Sequence, residues 1–230
     1  MVNRRDFLKI SAMAGAGLAA STLLTPRLFA FSQTTPLRKF LIGLPGLGPG
    51  GANEMGNYIP VLSPDTTTFR GSDLYRITMG QFTQHLHPDL PGPTKLWGYA
   101  DAAHPDQKYL GGVIVANRNR AVRLNVKNNL PDVHPLPIDT SIMGADGAAN
   151  RATVHLHGGM VPWTVDGGPH SWFTPTSTGP NNGAGPSFLN FGDQPGTANY
   201  YYPNSQSARL VWYHDHALGT TRLNAYSGLA

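Results

Sequence analysis

The sequence predicts an all-β protein, an antiparallel sandwich or barrel of short strands joined by long loops. Glycine and proline number 27 and 20 of 230 residues, and the only glutamate is Glu54, so good helix formers are sparse. Several stretches alternate apolar and polar residues with the period of a half-buried strand. No stretch carries a strong helix signal, and there is no internal repeat.

The first 30 residues read as a leader rather than fold. Asn3–Lys9, "NRRDFLK", sets Arg4 and Arg5 before Phe7 and Leu8. An uncharged run rich in Ala and Gly follows from Ile10 to Leu24, then Pro26, Arg27 and "LFA" ending at Ala30. That order is the layout of a secretion signal, and the paired arginines point to the twin-arginine route. The apolar run is shorter than the roughly 20 residues needed to cross a bilayer, so no membrane span is expected in the mature chain. Cleavage after Ala30 leaves residues 31–230 as one domain, although Leu28 is large for the small-x-small rule. The exported product is expected in the periplasm or outside the cell.

Past the leader, Gln33–Asp65 is loop-like, with "GLPGLGPGG" at Gly43–Gly51. Leu74–Phe82 reads as a strand, Leu90–Ala100 as extended and turn-rich, and Gly111–Ala116 as a short apolar run. In Ala121–Leu130, Val122, Leu124 and Val126 share one face, and Arg123, Asn125 and Lys127 the other. "ATVHLHG" (Ala152–Gly158) is another strand. Ser177–Asn199, rich in Gly, Pro and Asn, is a long loop. Ala208–His216, "ARLVWYHDH", is the last clear strand.

Composition excludes several functions. There is no cysteine, so neither a disulfide nor a thiolate metal site is possible, and any metal must sit on imidazole or oxygen. The formal net charge is +4, but the leader holds Arg4, Arg5, Lys9 and Arg27 against Asp6, so most of the excess leaves with it. No basic patch for nucleic acid remains.

Three His-x-His pairs stand out: His85/His87, His155/His157 and His214/His216. On a strand, residues two apart face the same way, so His155 and His157 project from one face while Val154 and Leu156 project from the other. His214 and His216 repeat the arrangement, with Asp215 facing away. Two such strands side by side present four imidazoles that grip one metal or serve neighbouring metals; neutral imidazole suits Zn, Cu, Fe and Ni. A single pair arises easily by chance, whereas two on strands are hard to dismiss. A cupin is disfavoured, since Val161 and Pro162 stand where its glutamate belongs. A hydrolase barrel is disfavoured by the late position of the pair and the lack of alternating helices.

"VHLHGG" (Val154–Gly159), "VDGGP" (Val165–Pro169) and "VWYHDHALGTTRLNAYSGLA" (Val211–Ala230) resemble the first cupredoxin domain of a multicopper oxidase. "LWGY" (Leu96–Tyr99) and "LPID" (Leu136–Asp139) are similar to the branch containing spore-coat laccase, bilirubin oxidase and phenoxazinone synthase. The resemblance runs from about Leu74 to Ala230. It implies a cupredoxin-like Greek-key β-barrel or sandwich. It also implies copper ligands: His155 on the type 2 copper, His157 and His214 on one type 3 copper, and His216 on the other. Asp166 matches the family acid that helps protonate oxygen near the type 2 copper; it reads equally well as a turn residue, since Asp-Gly is a turn signal.

The resemblance further implies an oxidoreductase that reduces O2 to water while a small-molecule or metal-ion reductant is oxidised. In the family the other four cluster histidines and the cysteine of the type 1 copper lie in a later domain. The chain is therefore expected to be the N-terminal part of a longer enzyme, lacking its last barrel strand, the type 1 site and the C-terminal cupredoxin domains, and to be inactive alone. The alternative is a non-catalytic exported copper-binding protein. In related sequences, the "LH" before "LP" and "LWGY" serves packing, which makes His85 and His87 structural. His104, His134 and His170 read as loop residues.

Replacing Arg4 and Arg5 by Lys should hold the precursor inside the cell, because the export pathway reads that dipeptide as an address. Immunoblots of cytoplasmic and exported fractions check this; an unchanged exported yield refutes the assignment.

Overall fold

The computed structural model describes residues 37–178 and 183–230, so the leader lies outside the described residues. Six strands carry the fold: β1 (Ser72–Gln84), β2 (Thr94–Asp101), β3 (Ala121–Asn128), β4 (His155–His157), β5 (Thr197–Tyr202) and β6 (Trp212–His214). Among the described residues there is one regular α-helix, α1 (Thr221–Ser227), which follows β6. The all-β expectation holds.

Alternation decides which faces are buried. In β1, Tyr75, Ile77 and Met79 are buried while Arg76 points out. In β3, Val122, Leu124 and Val126 are buried between half-buried Arg123, Asn125 and Lys127, as the sequence predicts. These side chains meet Trp97 and Tyr99 of β2, Tyr200 and Tyr202 of β5, and Phe173 and Phe188 from the loops, forming one core. Arg38–Ala230 makes up this unit; of the other, Met1–Leu37, only Leu37 is described.

The sheet order is β2-β1-β3-β5, with β4-β6 as a separate two-stranded ribbon. Among the described residues the two sheets do not close into a barrel. The purely antiparallel expectation needs correction: β1 pairs with β3 in parallel, Ser72 opposite Ala121 through Met79 opposite Asn128. Alternation specifies a strand's buried face but not its direction, so the pattern could not show this.

Other boundaries differ too. Leu90–Ala100 overlaps a true strand, β2, which runs on to Asp101. The long loop ends earlier than Asn199, because "TANYYY" pairs with β3 as β5. Gly111–Ala116 contributes only a bridge from Val113 to Val61. Ala208–His216 shrinks to the three residues of β6. The unexpected helix is too short for periodicity to reveal it. Gly228 ends it with φ 122°, and its N–H bonds back to Ala225 and Asn224. A Cβ at Gly228 would lie 2.1 Å from the Trp97 carbonyl oxygen, so helix and β2 meet where only glycine fits.

A buried carboxylate locks β6 and the helix to the lead-in of β4. Asp215 accepts hydrogen bonds from the backbone N–H of Thr153 (2.9 Å) and Ala217 (3.1 Å) and from Asn224 Nδ2 (2.9 Å). Its own N–H donates to the Leu229 carbonyl at 2.9 Å. Asn224 also donates to the Arg151 carbonyl and accepts from His134 Nε2. The Arg151 side chain is buried and donates to the carbonyls of Gly144, Ala148 and Leu218. Burial pushes the Asp215 carboxyl up from 3.8 to about 6, against the three donors that favour its ionised form.

Asp215→Asn should destabilise the fold by about 1–3 kcal/mol at pH 7, because the amide nitrogen cannot accept where the second carboxylate oxygen did. The pH dependence has a definite sign. With its folded pKa raised, Asp215 contributes most stability below pH 3.8 and loses it as pH rises through about 6. That loss is on the order of 3 kcal/mol. The gap between wild type and variant should therefore narrow as pH rises from 4 to about 7. Urea denaturation across that range checks it; a gap that widens contradicts the buried-carboxylate account.

Candidate metal centre

The ribbon β4-β6 is three residue pairs long: His155 opposite His214, Leu156 opposite Tyr213, and His157 opposite Trp212. Cross-strand partners share a face, so His155, His157, Trp212 and His214 all project to one side. Leu156 and Tyr213 pack against the core on the other. His216 follows Asp215 and returns to the histidine side. The strand geometry thus brings both sequence-predicted pairs together.

Ring centroids within each pair are 5.7 Å apart. Between pairs, His155 lies 5.4 Å from His214 and 5.0 Å from His216, and His157 lies 5.5 Å from His214. One ring nitrogen from each of His155, His157 and His214 falls within 4.8 Å of the others, a spacing that can hold a metal ion. His216 stands just outside this group of three but against the His155 ring.

Two imidazoles are oriented by backbone. His155 Nδ1 donates to the Asp166 carbonyl at 2.6 Å, and His214 Nδ1 donates to the Asp215 carbonyl at 2.6 Å. Each is left with Nε2 free of its proton and available as a ligand, the usual outer arrangement of metal-binding histidine. His157 Nδ1 faces His214 Nε2 at 3.2 Å. Burial lowers the pKa of His214, and the neighbouring histidines add to the shift, so it is held in the neutral form that binds metal. His216 Nδ1 is buried without a hydrogen-bond partner. Converging imidazoles and an orphaned ring nitrogen fit a borderline metal such as copper or zinc.

Asp166 caps the short turn Trp163–Val165, and its carbonyl lies against His155 of β4. Its carboxylate Oδ1 is 3.5 Å from His155 Nδ1, and its side chain is 47% exposed. It is thus both a turn residue and a carboxylate at the edge of the cluster. Gly167 makes that approach possible: its φ is +70°, and a Cβ there would lie 2.0 Å from the Val154 carbonyl oxygen.

His85 and His87 lie outside the cluster. His85 Nε2 donates to the Leu90 carbonyl, and His87 Nε2 donates to the Arg38 carbonyl while Nδ1 accepts from the Asp89 N–H. His104 and His170 are exposed loop residues. His134, read as a loop residue, is buried beside Trp97 with ring centroids 4.3 Å apart, and helps hold Asn224. Asn224, Arg151 and Trp212 also escape sequence reasoning; the one local signal is the invitation of "HDH" to ask what its middle acid does.

Residues 1–21 match the twin-arginine translocation pathway signal sequence, so the chain carries a signal for export by that route. No helix among the described residues is long and apolar enough to cross a membrane. A laccase of Bacillus subtilis (strain 168) is 40% identical over 159 residues, which cover 67% of this chain and 28% of that protein. A laccase of Haloferax volcanii is 34% identical over 239 residues, covering 99% of this chain and 35% of its own length. The chain therefore spans about a third of the curated relatives it matches. In fold it is similar to a laccase of Pediococcus acidilactici, with TM-score 0.50 at 23% identity over 81% of this chain and 31% of that one. A multicopper oxidase of Campylobacter jejuni, described as a metallo-oxidase, gives TM-score 0.52 at 17% identity over 86% and 31%. Cupredoxin-type strands, two facing histidine pairs and this relatedness lead to one conclusion: the chain belongs to the multicopper oxidase family.

Proposed function

We propose that residues 31–230 are the N-terminal cupredoxin domain of a laccase-like oxidase and supply half the ligands of its oxygen-reducing copper centre. The observation that carries this reading is the convergence of His155, His157 and His214 on one small volume, with His216 alongside. His155 serves the type 2 copper, His157 and His214 one type 3 copper, and His216 the other. Copper held by these imidazoles would relay to O2 the four electrons taken from the reducing substrate, which with four protons give two waters.

The remaining steps belong to the protein. The Asp166 and Asp215 carbonyls fix which nitrogen of His155 and His214 faces the metal. His157 presents Nδ1. Asp166, half in solvent and close to His155, can take a proton from water and hold it at its carboxylate near the cluster. The other imidazoles and the type 1 site, which needs a thiolate that this sequence lacks, come in this reading from further cupredoxin domains. In this reading those domains would also carry the surface where a small-molecule or metal-ion donor gives up its electrons.

Copper content per chain after dialysis, in the full-length protein with its downstream domains, tests the ligands. Ala at His155, His157, His214 or His216 should each weaken retention by at least about tenfold, since even outer partners of a ligand cost that much. His85→Ala should leave retention unchanged. The 230-residue chain alone should bind copper weakly, show no blue thiolate band and consume no oxygen with a phenolic donor. Sustained oxygen uptake by this chain overturns the half-site reading. Equal copper loss from His85→Ala and His157→Ala overturns the ligand assignment. If added downstream cupredoxin domains bring no oxygen uptake, a non-catalytic copper-binding protein is the better description.

A further inference from the structure

The four imidazoles are not equally well held. A histidine ring turns about a broad torsion, so its plane is set by contacts rather than by the backbone. His155 and His214 each have a backbone carbonyl to fix them. His157 has none: it is exposed at the end of β4, and its one hydrogen-bond contact is the 3.2 Å approach to another imidazole, His214. A metal between those two nitrogens would replace that contact and leave His157 with no hydrogen-bonding partner on its own protein.

Trp212 fills that gap. The strand register sets it directly opposite His157. Its indole lies nearly parallel to the His157 ring, at 5.2 Å and 21°. It is also nearly parallel to His214, at 4.0 Å and 23°. Trp212 is 49% exposed, so the core does not account for its position. What covers part of its surface is the pair of rings whose nitrogens face each other.

We propose that Trp212 is a positioning residue: a flat plate on which His157 and His214 stack, holding Nδ1 of one and Nε2 of the other in convergence. This rests on reading those two nitrogens as copper ligands. The bland alternative is a cross-strand aromatic that merely stabilises a short ribbon. The two differ in what they require. Positioning needs a flat ring beside the imidazoles, whereas ribbon stability needs only apolar bulk.

The test uses the 230-residue chain with Trp212→Leu, which keeps bulk, and Trp212→Phe, which keeps a flat ring. Titration with Cu(II) should show affinity falling by about tenfold in Trp212→Leu and staying within about threefold of wild type in Trp212→Phe, the range expected for a partner that orients a ligand. In the metal-free chains, NMR should show the ring protons of His157 and His214 losing their indole ring-current shift in Trp212→Leu, with those of His155 nearly unmoved. Melting temperatures of the metal-free chains should stay close together. Wild-type affinity in Trp212→Leu overturns the proposal while sparing the ligand assignment. Equal loss in both variants, with a fall in melting temperature, reduces Trp212 to a ribbon-stabilising residue and also overturns it. A wild-type chain in which excess Cu(II) leaves the ring protons of His157 and His214 unbroadened overturns the ligand assignment and the proposal together.

Discussion

The arrangement depends on one buried carboxylate. Asp215 sits between the two histidines of "HDH", and strand alternation turns it inward wherever they turn outward. Taking its charge out of water is costly. Three N–H donors offset that cost, and each comes from a different place: the approach to β4, the turn after β6, and the helix. The same contacts that satisfy the carboxylate therefore fix where His155, His214 and His216 stand relative to one another. In "HDH" the middle residue is thus more than a spacer between two candidate ligands: it anchors them.

Around that anchor the protein divides work between faces of a ribbon only three residues long. The inner face, Leu156 and Tyr213, joins the core and gives the ribbon its stability. The outer face is left to the Trp212 indole and the imidazoles. Neutral backbone carbonyls orient two of them, and unlike a carboxylate these acceptors do not change with pH. Gly167 is the local concession that allows it, since only a residue without a side chain can bring the Asp166 carbonyl so close beneath β4.

Much of this is legible in the sequence. The inward faces of β1 and β3 follow from alternation, and the two histidine pairs declare themselves because a strand puts residues two apart on one side. The meeting of those pairs is only a supposition at that level, since nothing local says that Ala152–Gly158 and Ala208–His216 are neighbours. Parallel pairing of β1 with β3 leaves no local trace. Thr197–Tyr202 is obscured by the glycine-rich stretch before it, although its tyrosines are good strand residues. The helix is too short to announce itself, and Asn224 stays hidden with it. His134 looks like a stray loop histidine because its partners, Trp97 and Asn224, are distant in sequence.

The pairing of His155 with His214 has a thermodynamic corollary. The two halves of the proposed metal site lie far apart along the chain and meet only through tertiary structure, so the unfolded polypeptide offers at most one half at a time. An ion that needs both halves then binds the folded state alone. Its binding energy adds directly to folding stability, by roughly 2.7 kcal/mol when free metal is at a hundred times its dissociation constant. Metal supply and conformational stability are in this way a single variable for this protein: scarcity of the ion lowers the melting temperature, and loosening of the fold lowers the affinity for the ion.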